Sequence, residues 1–133
     1  MLYKSEEDTA LLKLEGKIKD KSAITGIVGL GYVGLPLAVA FAEAGFKVLG
    51  VDMQQKRVDA VNQGQSYIAD VSSERLQAAI AGNRLQATTE QNRLKETDVI
   101  CICVPTPLTR TKDPDLSYVI HESKEIAKYL QPG

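Results

Sequence analysis

A chain of 133 residues, 44% hydrophobic and 25% charged with a formal net charge of −1, has the length of one ordinary domain and the apolar content to build a core. The balanced charge and the lack of a basic block interleaved with aromatics argue against a nucleic-acid partner, and no apolar run is long enough to span a membrane. Cys101 and Cys103 are too few for a disulfide framework, and the amino terminus lacks the apolar stretch of a secretory signal, which points to a reducing cytoplasm.

Residues 1–22 read as a leading amphipathic helix, with Leu11, Leu12, Leu14 and Ile18 available to one face. From residue 23 onward, apolar runs of strand length alternate with longer amphipathic segments. Ala23 to Val28 reads as a buried strand and Leu35 to Ala44 as a helix stopped by Gly45. Phe46 to Val51 is the next strand, followed by a helix from Gln54 to Gln63. A further helix is capped by Ser72 or Ser73. Leu85 to Thr88 is a short strand, Val99 to Val104 a longer one rich in β-branched residues, and PTPLTRTKDPD a loop. The last helix runs from Ser117 to Tyr129.

Strands alternating with helices, and strands apolar throughout their length, predict an α/β fold of the Rossmann type: a doubly wound parallel sheet covered on both faces. The division expected is a leading helix over 1–22 and a dinucleotide-binding domain over 23–133. The chain stops at YLQPG, directly after a helix, where the alternation calls for another strand. The domain therefore reads as incomplete at its carboxyl end. With strand order 3-2-1-4 the fourth strand would be an exposed edge, which predicts self-association or marginal stability.

The stretch GIVGLGYVGLPLA carries Gly29-x-Gly31-x-x-Gly34. That spacing alone is common, but here a strand precedes it, a helix follows it, and Asp52 ends the second strand about 20 residues on. In this setting Gly29 turns the chain off the strand, Gly31 lets a pyrophosphate approach the backbone, and Gly34 lets the helix pack on the sheet. The helix amino end offers unpaired N–H groups and partial positive charge to the diphosphate. Asp52 accepts hydrogen bonds from the adenosine ribose and repels a 2′-phosphate, favouring NAD over NADP. Arg57 either holds a 2′-phosphate or lies over the adenine and pairs with Asp52; the presence of Asp52 favours the second.

Val104, Pro105, Thr106 and Pro107 close the fourth strand at the sheet edge where ligands bind. Thr106 is either a cap in a rigid turn or a hydrogen-bond partner for the nicotinamide ribose or a substrate-side water. Thr88, ending the third strand, is a poorer candidate of the same kind. Cys101 and Cys103 lie two apart in a strand, so they share one face and read as inert core residues rather than ligands or nucleophiles. His121, in HESKE, reads as a solvated helix position, and no metal site is expected.

GLGYVGLPLA, Asp52 with Arg57, TDVICICVPTPL and PDLSYV together resemble the UDP-glucose/GDP-mannose dehydrogenase family over nearly all the chain from Ile24. GQSYI and PDLSYV are more similar to the branch acting on UDP-N-acetylhexosamines. The resemblance implies an NAD-dependent nucleotide-sugar 6-dehydrogenase, oxidising a sugar C6 alcohol to a carboxylate with two NAD reduced, in a homodimer or larger oligomer. It implies that Leu30, Gly31, Tyr32 and Val33 lie along the NAD pyrophosphate, with Asp52 and Arg57 at the adenosine end and Thr88 and Thr106 lining the cofactor. The family's catalytic cysteine lies far downstream in a Gly-rich segment, and neither Cys101 nor Cys103 matches it. No catalytic residue is therefore expected in this chain, with Thr106 at most in support. A stand-alone NAD(H)-sensing module and another Rossmann dehydrogenase remain as alternatives.

Overall fold

The computed structural model describes residues 5–133. Its elements are α1 (Glu6–Lys19), β1 (Ile24–Val28), α2 (Gly34–Glu43), β2 (Lys47–Val51), α3 (Gln55–Asn62), α4 (Ser73–Ala81), β3 (Leu85–Thr88), a 3₁₀ helix (Gln91–Glu96), β4 (Val99–Ile102) and α5 (Ser117–Ala127). The four strands form one parallel sheet in the order β3-β2-β1-β4. The chain steps outward from β1 to β3 and then crosses back past β1 to lay down β4. The order therefore reverses between β1 and β4, where open α/β sheets bind ligands.

Side-chain alternation along the central strands divides them between two cores. Ile27 and Val48 join the larger cluster with Leu35, Val39, Val61 and Leu76 from α2, α3 and α4. Val28, Leu49 and Val51 point the other way and meet Leu94 and Ile126 from the 3₁₀ helix and α5. With both faces covered, β1 and β2 are buried along nearly their whole length. Glycines admit close neighbours on both sides. A Cβ at Gly50 would sit 2.9 Å from Leu30 Cδ1, and one at Gly26 would sit 3.1 Å from Leu94 Cδ2.

Several boundaries differ from the sequence reading, each for a local reason. The Ala23 N–H donates to Lys17 O at 3.0 Å, so that residue closes α1 instead of opening β1. The ladder of β4 ends when Cys103 N–H donates to Val28 O at 2.7 Å; Pro105 and Pro107 have no N–H to extend it. The last turn of α5 tightens through Tyr129 N–H to Ile126 O, so the helix ends before Tyr129. The 3₁₀ helix was unforeseen: in six residues only Leu94 is buried, which leaves no apolar period to read.

The largest correction is to α1. The helix forms, aided by a capping box in which Ser5 and Asp8 satisfy each other's backbone N–H. None of its residues is buried, however, and Leu11, Leu12 and Ile18 are 57%, 48% and 45% exposed. Adjacent Leu11 and Leu12 stand about 100° apart on a helix, so they cannot share one narrow face. The helix is tied to the sheet by a Lys17–Asp98 ion pair at 2.7 Å, with Asp98 also accepting the Ile24 N–H at 2.9 Å. The first four residues of the expected leading segment lie outside the described residues.

Candidate functional site

The three glycines of the turn after β1 occupy three different environments. Gly29 has φ of 95°, and a Cβ there would lie 2.7 Å from Cys103 O. It lets the turn fold back against the end of β4. At Gly34 a Cβ would lie 1.6 Å from Gly29 O, so a side chain is impossible while α2 packs as it does. At Gly31 the nearest protein atom to such a Cβ is Arg57 Nη1 at 3.8 Å. Neither packing nor a left-handed φ requires a glycine at that position; the missing side chain leaves room beside the backbone.

That room lies at the amino end of α2. The N–H groups of Gly31, Tyr32 and Val33 donate to no acceptor among the described residues, and the N-cap Val33 has no side chain able to cap the helix. Tyr32 and Val33 are 83% and 66% exposed. Unpaired donors with the positive end of a helix dipole make a place for an anion.

Asp52 anchors the turn from the end of β2. Its Oδ2 accepts the Leu30 N–H at 2.9 Å and Arg57 Nη1 at 3.3 Å, while Oδ1 accepts the Gln54 N–H at 2.8 Å. A carboxylate has about four acceptor positions, so one remains for a ligand hydroxyl. The same loop is held from the other side by Tyr67, whose hydroxyl donates to Leu30 O at 2.6 Å. Burial, then the Asp52 charge, push the Tyr67 phenol up to about 12, with Arg57 pulling the other way. Arg57 lies 5.9 Å from the Tyr67 ring centroid while pairing with Asp52. The pairing between Arg57 and Asp52 expected from the sequence is present.

These groups border a cleft of about 740 Å³ along the carboxyl ends of β1, β2 and β4, within the roughly 300–1,000 Å³ of small-molecule sites. Of the residues singled out in the sequence, Gly29, Gly31, Tyr32, Val33, Asp52, Arg57, Val104, Pro105 and Thr106 line it. Leu30, Gly34 and Thr88 do not. Leu30 is fully buried in the larger core with both its backbone groups engaged, so it shapes the turn from beneath. Thr88 accepts the Asp52 N–H through its carbonyl and the Glu90 N–H through Oγ1, so it supports Asp52 from β3.

The structure adds lining residues that the sequence reading passed over: Met53, Gln54, Gln91, Tyr118 and Glu122. Glu122 had a legible signal. Val119, Glu122 and Ile126 recur at helical spacing on the inward side of α5, and a carboxylate in such a stripe is conspicuous. Gln91 had none, because it sits in the unforeseen 3₁₀ helix. Cys101 and Cys103 are half-buried against the larger core instead of enclosed in it, and Cys103, expected as a core residue, also lines the cleft; burial together with the neighbouring Cys101 pushes the Cys103 thiol up. His121 is exposed, as its polar setting predicts. Among the described residues no group of three His, Cys, Asp or Glu is placed to hold a metal, and no helix is long and apolar enough to cross a membrane.

The donor set fits a dinucleotide. The uncapped helix end and the open backbone at Gly31 suit a diphosphate, and the Asp52 carboxylate one strand away suits a ribose diol. Comparison with known proteins agrees. Residues 23–133 match the UDP-glucose/GDP-mannose dehydrogenase family, NAD binding domain. The chain is 41% identical over 108 residues to UDP-N-acetyl-D-mannosamine dehydrogenase of Salmonella typhi, covering 80% of this chain and 25% of that protein. It is 42% identical over 107 residues to NDP-N-acetyl-D-galactosaminuronic acid dehydrogenase of Ralstonia nicotianae, again covering 80% of this chain and 25% of the other. Among solved structures, GDP-mannose dehydrogenase from Pseudomonas aeruginosa superposes with a TM-score of 0.74 at 36% identity, over 77% of this chain and 24% of that one. The chain thus spans about a quarter of the length of these relatives.

Proposed function

The chain belongs to the UDP-glucose/GDP-mannose dehydrogenase family as its NAD-binding domain, and on that premise we propose that it holds the cofactor of a nucleotide-sugar 6-dehydrogenase. The substrate class is a UDP-hexose or UDP-N-acetylhexosamine, whose C6 alcohol is oxidised to the uronic acid with two NAD reduced. The names of the relatives in Salmonella and Ralstonia support the N-acetylhexosamine branch. The observation that carries the reading is the conjunction of the uncapped α2 amino end with Asp52 at the end of the neighbouring strand.

Bound NAD supplies a hydride acceptor at its nicotinamide ring. The chain's own residues bind and orient it. The Gly31, Tyr32 and Val33 N–H groups receive the diphosphate, the Asp52 carboxylate receives the adenosine ribose, and Val104, Pro105 and Thr106 border the path along the end of β4. Arg57 lies at the adenosine end while paired with Asp52, its side chain 36% exposed. Leu30 and Thr88 act through the positions of the turn and of Asp52.

Oxidation of the sugar is assigned to residues outside this chain. Cys101 and Cys103, half-buried and with the Cys103 thiol pushed up, are poor nucleophiles. The proposal extends to a working unit in a reducing cytoplasm, in line with the two free cysteines, and to a homodimer or larger oligomer, as the family resemblance implies. The test is calorimetry with NAD and NADP alongside a spectrophotometric assay with a UDP-sugar. NAD is expected to bind at least tenfold more tightly than NADP, with no sugar oxidation by this chain alone. Tighter NADP binding refutes the role of Asp52, and turnover by the isolated chain refutes the assignment of the chemistry elsewhere.

A further inference from the structure

Glu122 is a carboxylate that the proposed function does not use, and its surroundings are unusual. The residue is 5% exposed yet lines the cleft. It forms no ion pair among the described residues; its one hydrogen bond is from Gln91 Nε2 to Oε2, at 3.0 Å. The Gln91 amide turns its NH₂ toward the carboxyl oxygen, which accepts. Among the described residues no side-chain oxygen sealed from solvent lacks a partner. Oε1, which meets no protein donor, is therefore not sealed from solvent, and Glu122 lines the cleft. The Gln91 Nε2 that donates to Oε2 carries a second N–H, which has no acceptor among the described residues.

The surroundings are largely apolar. Val28 and Val51, 3% and 2% exposed, form an apolar floor, and Met53 and Tyr118 stand at the rim 78% and 52% exposed. Met53 directly follows Asp52, so this apolar slot adjoins the group that receives the adenosine ribose.

Building on the dinucleotide reading, we propose that Glu122 and Gln91 read the Watson–Crick edge of adenine: Glu122 Oε1 accepts from the 6-amino group, and the free Gln91 N–H donates to N1. An acceptor beside a donor is the complement of adenine, which shows a donor at position 6 and an acceptor at N1. Hypoxanthine shows the reverse pair, a carbonyl at position 6 and an N–H at N1. Its carbonyl would face the carboxylate, and Gln91 cannot invert to rescue the fit without abandoning Glu122. Groups buried to make a hydrogen bond discriminate because the wrong ligand leaves them unpaired. Glu122 is thus a specificity residue for the base, held in place by Gln91.

The experiment titrates the 133-residue chain with NAD, nicotinamide hypoxanthine dinucleotide, ADP-ribose and IDP-ribose. In the unaltered protein both adenine ligands should bind at least about tenfold more tightly than their hypoxanthine counterparts. In Glu122→Gln, whose amide can offer either an oxygen or an NH₂, the preference should fall to within about threefold, with the thermal midpoint recorded as a control on folding. Equal binding of adenine and hypoxanthine ligands by the unaltered chain overturns the proposal while leaving the dinucleotide reading intact. So does a preference that survives in a folded Glu122→Gln. A Glu122→Gln effect on NAD but not on ADP-ribose would assign the pair to the nicotinamide carboxamide and likewise overturn it. Failure of all four ligands to bind overturns both readings.

Discussion

Alanine substitutions at Gly31 and Gly34 separate a glycine that leaves room for a ligand from one that the fold itself requires. The two positions are three residues apart in one turn, yet an added Cβ meets its nearest neighbour at 3.8 Å at Gly31 and at 1.6 Å at Gly34. The first distance is ordinary contact with the end of a flexible arginine. The second is overlap with the Gly29 carbonyl, relieved only by moving α2 off the sheet. Gly31 also lacks a left-handed φ, so Gly31→Ala should change stability by no more than about 1 kcal/mol, and in the stabilising direction if the unfolded chain loses freedom. Gly34→Ala should cost more than about 3 kcal/mol, at or beyond the upper end of overpacking penalties. Binding should respond in the opposite order. A methyl group at Gly31 occupies the space beside three unpaired N–H groups, and holding the diphosphate off even one of them costs about 1.5–3 kcal/mol, a loss of tenfold or more in NAD affinity. Urea denaturation and NAD calorimetry on the two variants check both halves. A Gly31→Ala protein that binds NAD as tightly as the unaltered chain would refute the phosphate assignment. One as destabilised as Gly34→Ala would refute the packing argument.

Asp52→Asn replaces an acceptor by an NH₂ facing the Leu30 N–H, the Gln54 N–H or Arg57. The expected loss is about 1–3 kcal/mol in urea denaturation, with a narrower NAD-to-NADP ratio by calorimetry. Tyr67→Phe removes only the hydroxyl that donates to Leu30 O, so stability should fall by about 1 kcal/mol. The Tyr67 phenol, raised from 10.0 to about 12, is held neutral by the fold. Its contribution is therefore complete below pH 10 and is lost as pH rises toward 12; ultraviolet titration should show a late phenolate that Tyr67→Phe abolishes. Burial tends to raise Asp98, but the Lys17 ammonium and the Ile24 N–H outweigh it, and the carboxyl lies below its ordinary 3.8. That contribution is present above pH 3.8 and is lost as pH falls through the lowered value. Lys17→Met should reduce amide-exchange protection of α1 while leaving β1 and β2 unchanged. Uniform loss across the sheet would contradict the local role of this ion pair.

Much of the site was legible because short-range rules govern it. A strand, a glycine turn and a helix are contiguous in sequence, and an aspartate ending the next strand is placed beside the turn by parallel register, which pairs Val28 with Val51. The parallel sheet followed from the alternation of strands and helices, and the observed order β3-β2-β1-β4 is the one on which the exposed fourth strand was conditional. The resemblance carried the assignment from any dinucleotide fold to one family, and the match over residues 23–133 bears it out. The glycine pattern itself could not say that Leu30 faces the core while Gly31 faces the cleft, since both are simply residues of one turn. That distinction depends on Gly50, on a different strand, whose missing Cβ makes room for the Leu30 side chain.

The amino-acid order alone determined the class of fold and the place of the glycine turn between β1 and α2, because each rests on contacts between neighbours in the chain or on the fixed period of a helix or strand. Tertiary structure alone decided which groups meet across long separations. Tyr67 reaches Leu30 across 37 residues, Thr88 supports Asp52 from another strand, and Gln91 meets Glu122 across 31 residues. It also decided that the leading helix leaves its leucines in solvent and is tied down by Lys17 and Asp98. Periodicity records which side of an element is apolar. It carries no record of what the opposing surface offers, and where that surface is a carboxylate or a cleft, packing alone sets the outcome.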